Sequence, residues 1–278
     1  NKYFQKDRIS NAIGKFDLAV FGSAYASYDF DFEGLDVRAH NFGFASQFMY
    51  YTDFFIDKFL PQVNVDGCVA IVLPPLALME TGENAYGGAE SYVFICDKNY
   101  FNIPRYRLKK LMDSHRLLFC PWRLKYCFWD QPLDRRFLYS NELSDEQIEN
   151  KVQSRIDSWN RKYHLFDKDD YTKCIEQTIP SLKMLNIIIK KIEADGKKCC
   201  LIIPPVAGVF REKIPERLMQ AVLYDRIKEL GDVMVLDYWH DERFASKDLY
   251  VHIDFMNATG RKKFTAQVVS DLKENGFI

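Results

Sequence analysis

The stretch Phe16-Asp-Leu-Ala-Val-Phe-Gly-Ser-Ala-Tyr-Ala-Ser27 carries an apolar run, Leu18 to Phe21, that stops abruptly at Gly22-Ser23. An unbroken apolar run, with no alternation, is the pattern of a strand covered on both faces, as in a parallel sheet. In open α/β sheets, ligands gather beyond the carboxyl ends of the strands. Gly22 has no Cβ and so permits a sharp turn at that edge. Ser23 is then presented at or near the start of a helix, where free N–H groups and the helix dipole favour developing negative charge. Two readings follow for Ser23: a nucleophile, or an ordinary N-cap of the next helix.

Four further apolar runs read as strands: Val37–Phe42, Cys68–Leu73, Cys199–Ile203 and Val233–Asp237. Helical periodicity lies between most of them. Ser46 to Leu60 repeats apolar residues at Phe48, Tyr51, Phe55 and Phe59. Tyr171 to Ala194 carries Ile175, Ile179, Leu182, Leu185, Ile188, Ile189 and Ile192. Lys213 to Leu230 continues with Leu218, Val222 and Ile227, and Thr259 to Asn275 closes the chain with Phe264, Val268 and Leu272. Strand–helix alternation implies a doubly wound parallel sheet with right-handed crossovers. Between the third and fourth strands, residues 77–170 exceed what a crossover needs. This aromatic-rich stretch, which includes Trp159, reads as a largely helical insertion over the carboxyl edge of the sheet. It is either a cap shaping a pocket or a structural subdomain. Gly82, Gly87 and Gly88 suggest a loop near its start.

Composition excludes several classes. The formal net charge of −1, with basic residues scattered, argues against nucleic acid as the main partner. The longest apolar run, Cys68–Leu73, ends in Pro74-Pro75 and is too short to span a bilayer. The visible N-terminus has no signal-peptide core. Seven cysteines include no C-x-x-C pair, and three of them, Cys68, Cys199 and Cys200, fall in core strands. A reducing, cytoplasmic setting is expected. No H-x-H or H-E-x-x-H spacing occurs, so no metal is expected. No Walker A or G-x-G-x-x-G motif occurs, so no nucleotide cofactor is expected either.

A serine hydroxyl needs a base to take its proton, and the base needs a group to orient it. Asp248-Leu-Tyr-Val-His-Ile-Asp254, just before the last helix, offers His252 as base, with Asp248 or Asp254 behind it. The alternative is a short extended piece whose histidine is merely hydrogen-bonded. Asn41-Phe-Gly-Phe-Ala-Ser46, at the end of the second strand, offers the Gly43 N–H and the Asn41 amide as oxyanion donors. Its alternative is a plain strand-to-helix turn with Ser46 as N-cap. The prolines of Pro74-Pro75 and Pro204-Pro205 cannot donate hydrogen bonds and read as pocket walls. His40 and His240 are possible neighbours of the site; His115 and His164 read as structural.

Together these elements resemble the SGNH (GDSL-type) hydrolase superfamily. Phe21-Gly-Ser-Ala-Tyr-Ala-Ser-Tyr28 is similar to its first block, in the form G-S-S-H-A-x-Y of members encoded with polysaccharide genes. Asn41-Phe-Gly43 resembles the second-strand glycine block. Asp248 to Gly260 with Phe264-Thr265 resembles the closing block, D-x-x-H-L-N-x-x-G-x-x-x-F-T. The resemblance implies a three-layer α/β/α sandwich with strand order 2-1-3-4-5, formed by residues 1–278 as one domain around the 77–170 insertion. It also implies a serine esterase or O-acetyltransferase acting on a sugar or polysaccharide precursor. The sequence departs from the pattern at two places. Phe255 stands where the family has its catalytic histidine and His252 where it has the aspartate, and the G-x-N-D block is missing at Leu73-Pro-Pro75. The same residues therefore also fit a degenerate protein that binds a glycan or a partner enzyme, or a transferase of another group onto a glycan.

Overall fold

The computed structural model describes residues 9, 12–45, 47–79, 144–165, 170–251 and 253–278. The chain divides into two compact units, Asn1–Ala12 with Asn84–Arg135, and Ile13–Glu83 with Arg136–Ile278. The sheet and every element below belong to the second unit.

Five strands form one parallel sheet in the order β2-β1-β3-β4-β5. They are β1 (Phe16–Gly22), β2 (Ala39–Asn41), β3 (Val63–Val72), β4 (Lys198–Ile203) and β5 (Met234–Asp237). The apolar runs explain their places. Leu18–Phe21, Cys68–Val72 and Cys200–Ile203 are almost fully buried and form the three central strands. Burying each large aliphatic side chain contributes roughly 1.5–3 kcal/mol, so these strands dominate the core. β2 and β5 are the edges, and both are only partly buried.

Helices cover both faces, giving three α/β/α layers. Helix α1 (Ala24–Asp29) touches the C-terminal helix. α2 (Met49–Phe59) packs on the long helix before β4. In the insertion, α3 (Asp145–Tyr163) opens with a capping box, Ser144 with Gln147, and His164 closes it in the left-handed conformation at φ 55°. The remainder of the expected insertion, residues 80–143 and 166–169, lies outside the described residues, with Gly82, Gly87, Gly88 and His115. Helix α4 (Thr172–Ala194) follows, then α5 (Gly208–Arg211).

Two helices differ from their expected form. In α4 the buried stripe begins Cys174, Thr178, Ser181, whereas Ile179 is exposed and Ile175 only partly buried. A shift of one residue turns a side chain by about 100°, so an isoleucine beside the stripe faces out. The expected Lys213–Leu230 helix is three pieces: α6 (Glu216–Met219), a π-helical turn (Gln220–Tyr224) and α7 (Asp225–Lys228). Leu218 and Leu223, like Val222 and Ile227, are buried five residues apart, the repeat a π turn brings to one face. The C-terminal helix α8 (Ala258–Glu274) is capped by Asn257, whose Oδ1 accepts from the Thr259 and Gly260 N–H groups.

Candidate active site

Gly22 ends β1 at φ +140°, and a Cβ there would lie 2.9 Å from the Val72 carbonyl oxygen. Only glycine fits that turn. Ser23 follows with extended backbone at the N-cap position of α1, yet its side chain makes no capping hydrogen bond. It is half-buried, and its hydroxyl has no hydrogen-bond partner among the described residues. Ser23 instead lines a cavity of about 140 Å³ at the carboxyl ends of β1 and β3. Pro74, Pro75 and Leu76 form part of the wall, as expected for a pair of prolines, and Pro204-Pro205 takes no part. Trp159 and Tyr163 of the insertion helix α3 also line it, so this part of the insertion reaches the Ser23 cavity. The lining is mostly apolar with a few polar groups, the usual make-up of a small-molecule site.

The expected partners of Ser23 fall in different places. The C-terminal block does meet α1 across more than 200 residues of sequence: the Met256 N–H donates to Asp29 Oδ1 at 2.9 Å, and the Phe255 ring packs on Tyr25 at 5.2 Å and on Tyr28 at 5.3 Å. His252 itself lies outside the described residues. Its neighbours are anchored, since the Val251 N–H donates to the Phe255 carbonyl at 2.9 Å and the Ala207 N–H to the Ile253 carbonyl at 3.0 Å. No histidine is among the described residues lining the cavity. His240 is exposed and faces Glu216 at 3.4 Å, and His40 packs its ring between Phe16 and Phe42.

Asp254 is buried, and its Oδ2 is ion-paired with Arg155 of α3 at 2.5 Å. Burial pushes its carboxyl above the usual range, and the Arg155 guanidinium holds part of that rise back. Asp248 is exposed; its carbonyl accepts from Asn257 Nδ2 at 2.7 Å. Of the two carboxylates expected behind His252, one is thus engaged with the insertion helix and the other faces solvent.

Both expected oxyanion donors hold the scaffold together. Asn41 Nδ2 donates to the Ala26 carbonyl at 2.7 Å, and the Gly43 N–H donates to Asn41 Oδ1 at 2.8 Å. Gly43 lies so close to α1 that a Cβ there would sit 2.5 Å from Ala26 Cβ. The segment after β2 is therefore pressed onto the helix that follows Ser23. Ser46, the alternative cap of α2, lies outside the described residues; the N-cap position there is Phe48.

Three features of the site were not singled out from sequence. Gln47 is buried in the cavity wall. Asp29, the last residue of α1, is fully buried. Arg155 neutralises Asp254. None belongs to a spacing motif, and each is recognised only by its partners.

No protein-family model matches the chain, and no curated protein matches it. Among the described residues no helix is long and apolar enough to cross a membrane.

Proposed function

We propose that the protein is a serine-dependent acyl-transfer enzyme of the SGNH type, an esterase or O-acetyltransferase acting on an ester of a sugar or polysaccharide precursor. One observation carries the reading: a half-buried serine follows a positive-φ glycine at the end of β1, leaves its helix uncapped, and opens on an apolar cavity. In this reading Ser23 Oγ attacks the acyl carbonyl and gives its proton to His252. The ester C–O bond then breaks, and the proton passes to the departing alkoxide. Water or an acceptor hydroxyl repeats the sequence to free the acyl group. The carbohydrate class rests on the resemblance of the Ser23 block and on the aromatic residues near the cavity.

A second reading, a non-hydrolytic binding protein on the same scaffold, draws on specific contacts. Phe255 packs on the Ser23 helix, Asp254 is engaged by Arg155, and Asn41 and Gly43 are engaged by each other. Hydrolysis of p-nitrophenyl acetate, together with labelling by a fluorophosphonate, separates the two. The enzyme reading expects turnover and labelling that both vanish in Ser23→Ala. Absence of both in the wild type favours the binding protein instead.

A further inference from the structure

We propose that Gln47 is a specificity residue whose side-chain oxygen accepts a hydrogen bond from a hydroxyl of the sugar that carries the ester, an assignment that rests on the serine reading and its carbohydrate class. Gln47 stands just before α2, is only 3% exposed and lines the Ser23 cavity. Thr52 sets the orientation of its amide. The Thr52 hydroxyl donates to the Phe48 carbonyl at 3.2 Å, so toward Gln47 it accepts, and Nε2 is the group that faces it, at 3.5 Å. That leaves Oε1, a buried acceptor with no donor among the described residues. Buried polar atoms are almost always hydrogen-bonded, and an exception calls for an explanation. The missing partner brings a donor, so it is a hydroxyl and not a carbonyl oxygen or an oxyanion.

Two partners from outside the chain bring a hydroxyl: water and a ligand. A held water needs about two to four polar groups around it. Most of the described wall is apolar, with Phe48, Met49, Ile71, Val72 and Leu76 in it. A ligand hydroxyl needs only the one acceptor, because contact with the wall holds the ring that carries it. Trp159 and Tyr163, one turn apart on α3 and both partly exposed, set aromatic rings in that wall. The negative face of such a ring attracts the weakly positive C–H groups of a sugar. An apolar and aromatic wall with one oriented acceptor fixes its ligand through few polar contacts. It selects a molecule that presents both a C–H face and an O–H, as a sugar does and a plain aliphatic ester does not. The cavity is open to solvent, so the selection falls on the hydroxyl and not on length.

The test measures acetate release from methyl 6-O-acetyl-glucopyranoside and from cyclohexylmethyl acetate by the wild type, Ser23→Ala, Gln47→Met and Gln47→Glu. Both esters carry an acetoxymethyl group on a saturated six-membered ring, and only the first has hydroxyls. A site that hydrogen-bonds a substrate hydroxyl discriminates against an analogue lacking it, so the wild type is expected to favour the sugar ester in kcat/KM by roughly tenfold or more. Gln47→Met, similar in length but without the amide oxygen, is expected to bring that ratio to within about threefold of unity. Gln47→Glu keeps an acceptor oxygen whether ionised or protonated and is expected to retain the preference. The ratio is taken on one preparation, so unfolded protein cancels from it, and a merely structural role moves both esters alike. Suppose p-nitrophenyl acetate turnover vanishes in Ser23→Ala. If the wild type then shows no preference for the sugar ester, or Gln47→Met keeps the preference, or Gln47→Glu loses it as fully as Gln47→Met, the Gln47 assignment is overturned and the serine mechanism stands. If Ser23→Ala matches the wild type, the mechanism falls and the assignment with it.

Discussion

Asp29 is a carboxyl shut away from water. One oxygen accepts the Met256 N–H, and the other has no partner among the described residues. Burial pushes its pKa well above the usual carboxylate range and the nearby Asp254 charge adds to this; the Met256 N–H and Arg261 pull it back. The folded state therefore prefers the protonated acid. For a group whose pKa is raised on folding, its contribution is fully present below the unfolded value of about 3.9 and is lost as pH climbs through the folded value. Asparagine mimics the protonated acid at every pH. Asp29→Asn is therefore expected to be more stable than the wild type at pH 7, by an amount on the order of 1–3 kcal/mol. The difference should close as pH falls toward 4. Urea midpoints from pH 4 to 8 check this, and a variant equally destabilised at every pH contradicts it. Residues of this kind set the limit of sequence reading. Ser23 was legible because a glycine and a serine interrupt an apolar run. Asp29 and Gln47 were not, because a buried polar side chain looks like any surface one until its neighbours are known.

Between elements, close approach matters more than propensity. Asn41 and Gly43 carry the segment after β2 against α1, and the Phe44 N–H donates to the Gly22 carbonyl at 3.0 Å. Gly43 therefore acts on the turn that holds Ser23. In Gly43→Ala the new methyl would meet Ala26 Cβ at 2.5 Å and Ser27 N at 2.7 Å, both across a short helix with little freedom to shift. Overpacking of this kind costs about 1–3 kcal/mol. The expected outcome is a lower urea midpoint with an unchanged slope, together with a larger loss of serine labelling than the stability change alone explains. A variant with wild-type midpoint and labelling would show that the segment yields easily. The glycine was visible in the sequence as part of a block, but its partner was not. Its N–H, read as a donor to a substrate oxygen, donates instead to Asn41 Oδ1, and its α-carbon lies against α1. The π turn at Gln220–Tyr224 was hidden for a different reason: Leu218, Val222 and Ile227 fit a helical repeat loosely, and only the burial of Leu223 exposes the longer period.

At the scale of the sheet unit, the parallel sheet was legible from continuous apolar strands alternating with helices, and the order 2-1-3-4-5 from the family resemblance. The attachment of the insertion helix did not follow from either, because it depends on single pairs. α3 is held to the unit by Arg155 on Asp254, by Lys247 on Asp145, and by the Trp159 ring on Phe210 at 5.4 Å. Of these, only the first involves a fully desolvated charge. Asp254 is 2% exposed and Arg155 39%, so the pair is lopsided: removing the arginine strands a buried carboxylate, whereas removing the carboxylate leaves an arginine that reaches water. Arg155→Met is therefore expected to cost about 3 kcal/mol near pH 8, the lower end for a broken buried pair because the arginine is partly screened. Asp254→Asn should cost less. The pH dependence has a definite sign. Burial already raises the Asp254 pKa, and loss of Arg155 raises it further, so in the variant the carboxyl is neutral over a wider range. The deficit of Arg155→Met should be greatest at alkaline pH and shrink as pH falls toward 4, while Arg155→Met with Asp254→Asn should show little pH dependence. Chemical denaturation of the three variants at pH 5 and pH 8 decides it. A deficit of equal size at both pH values would mean that the arginine acts through packing of its stem against the segment that carries Asp254 and not through the charge beneath it.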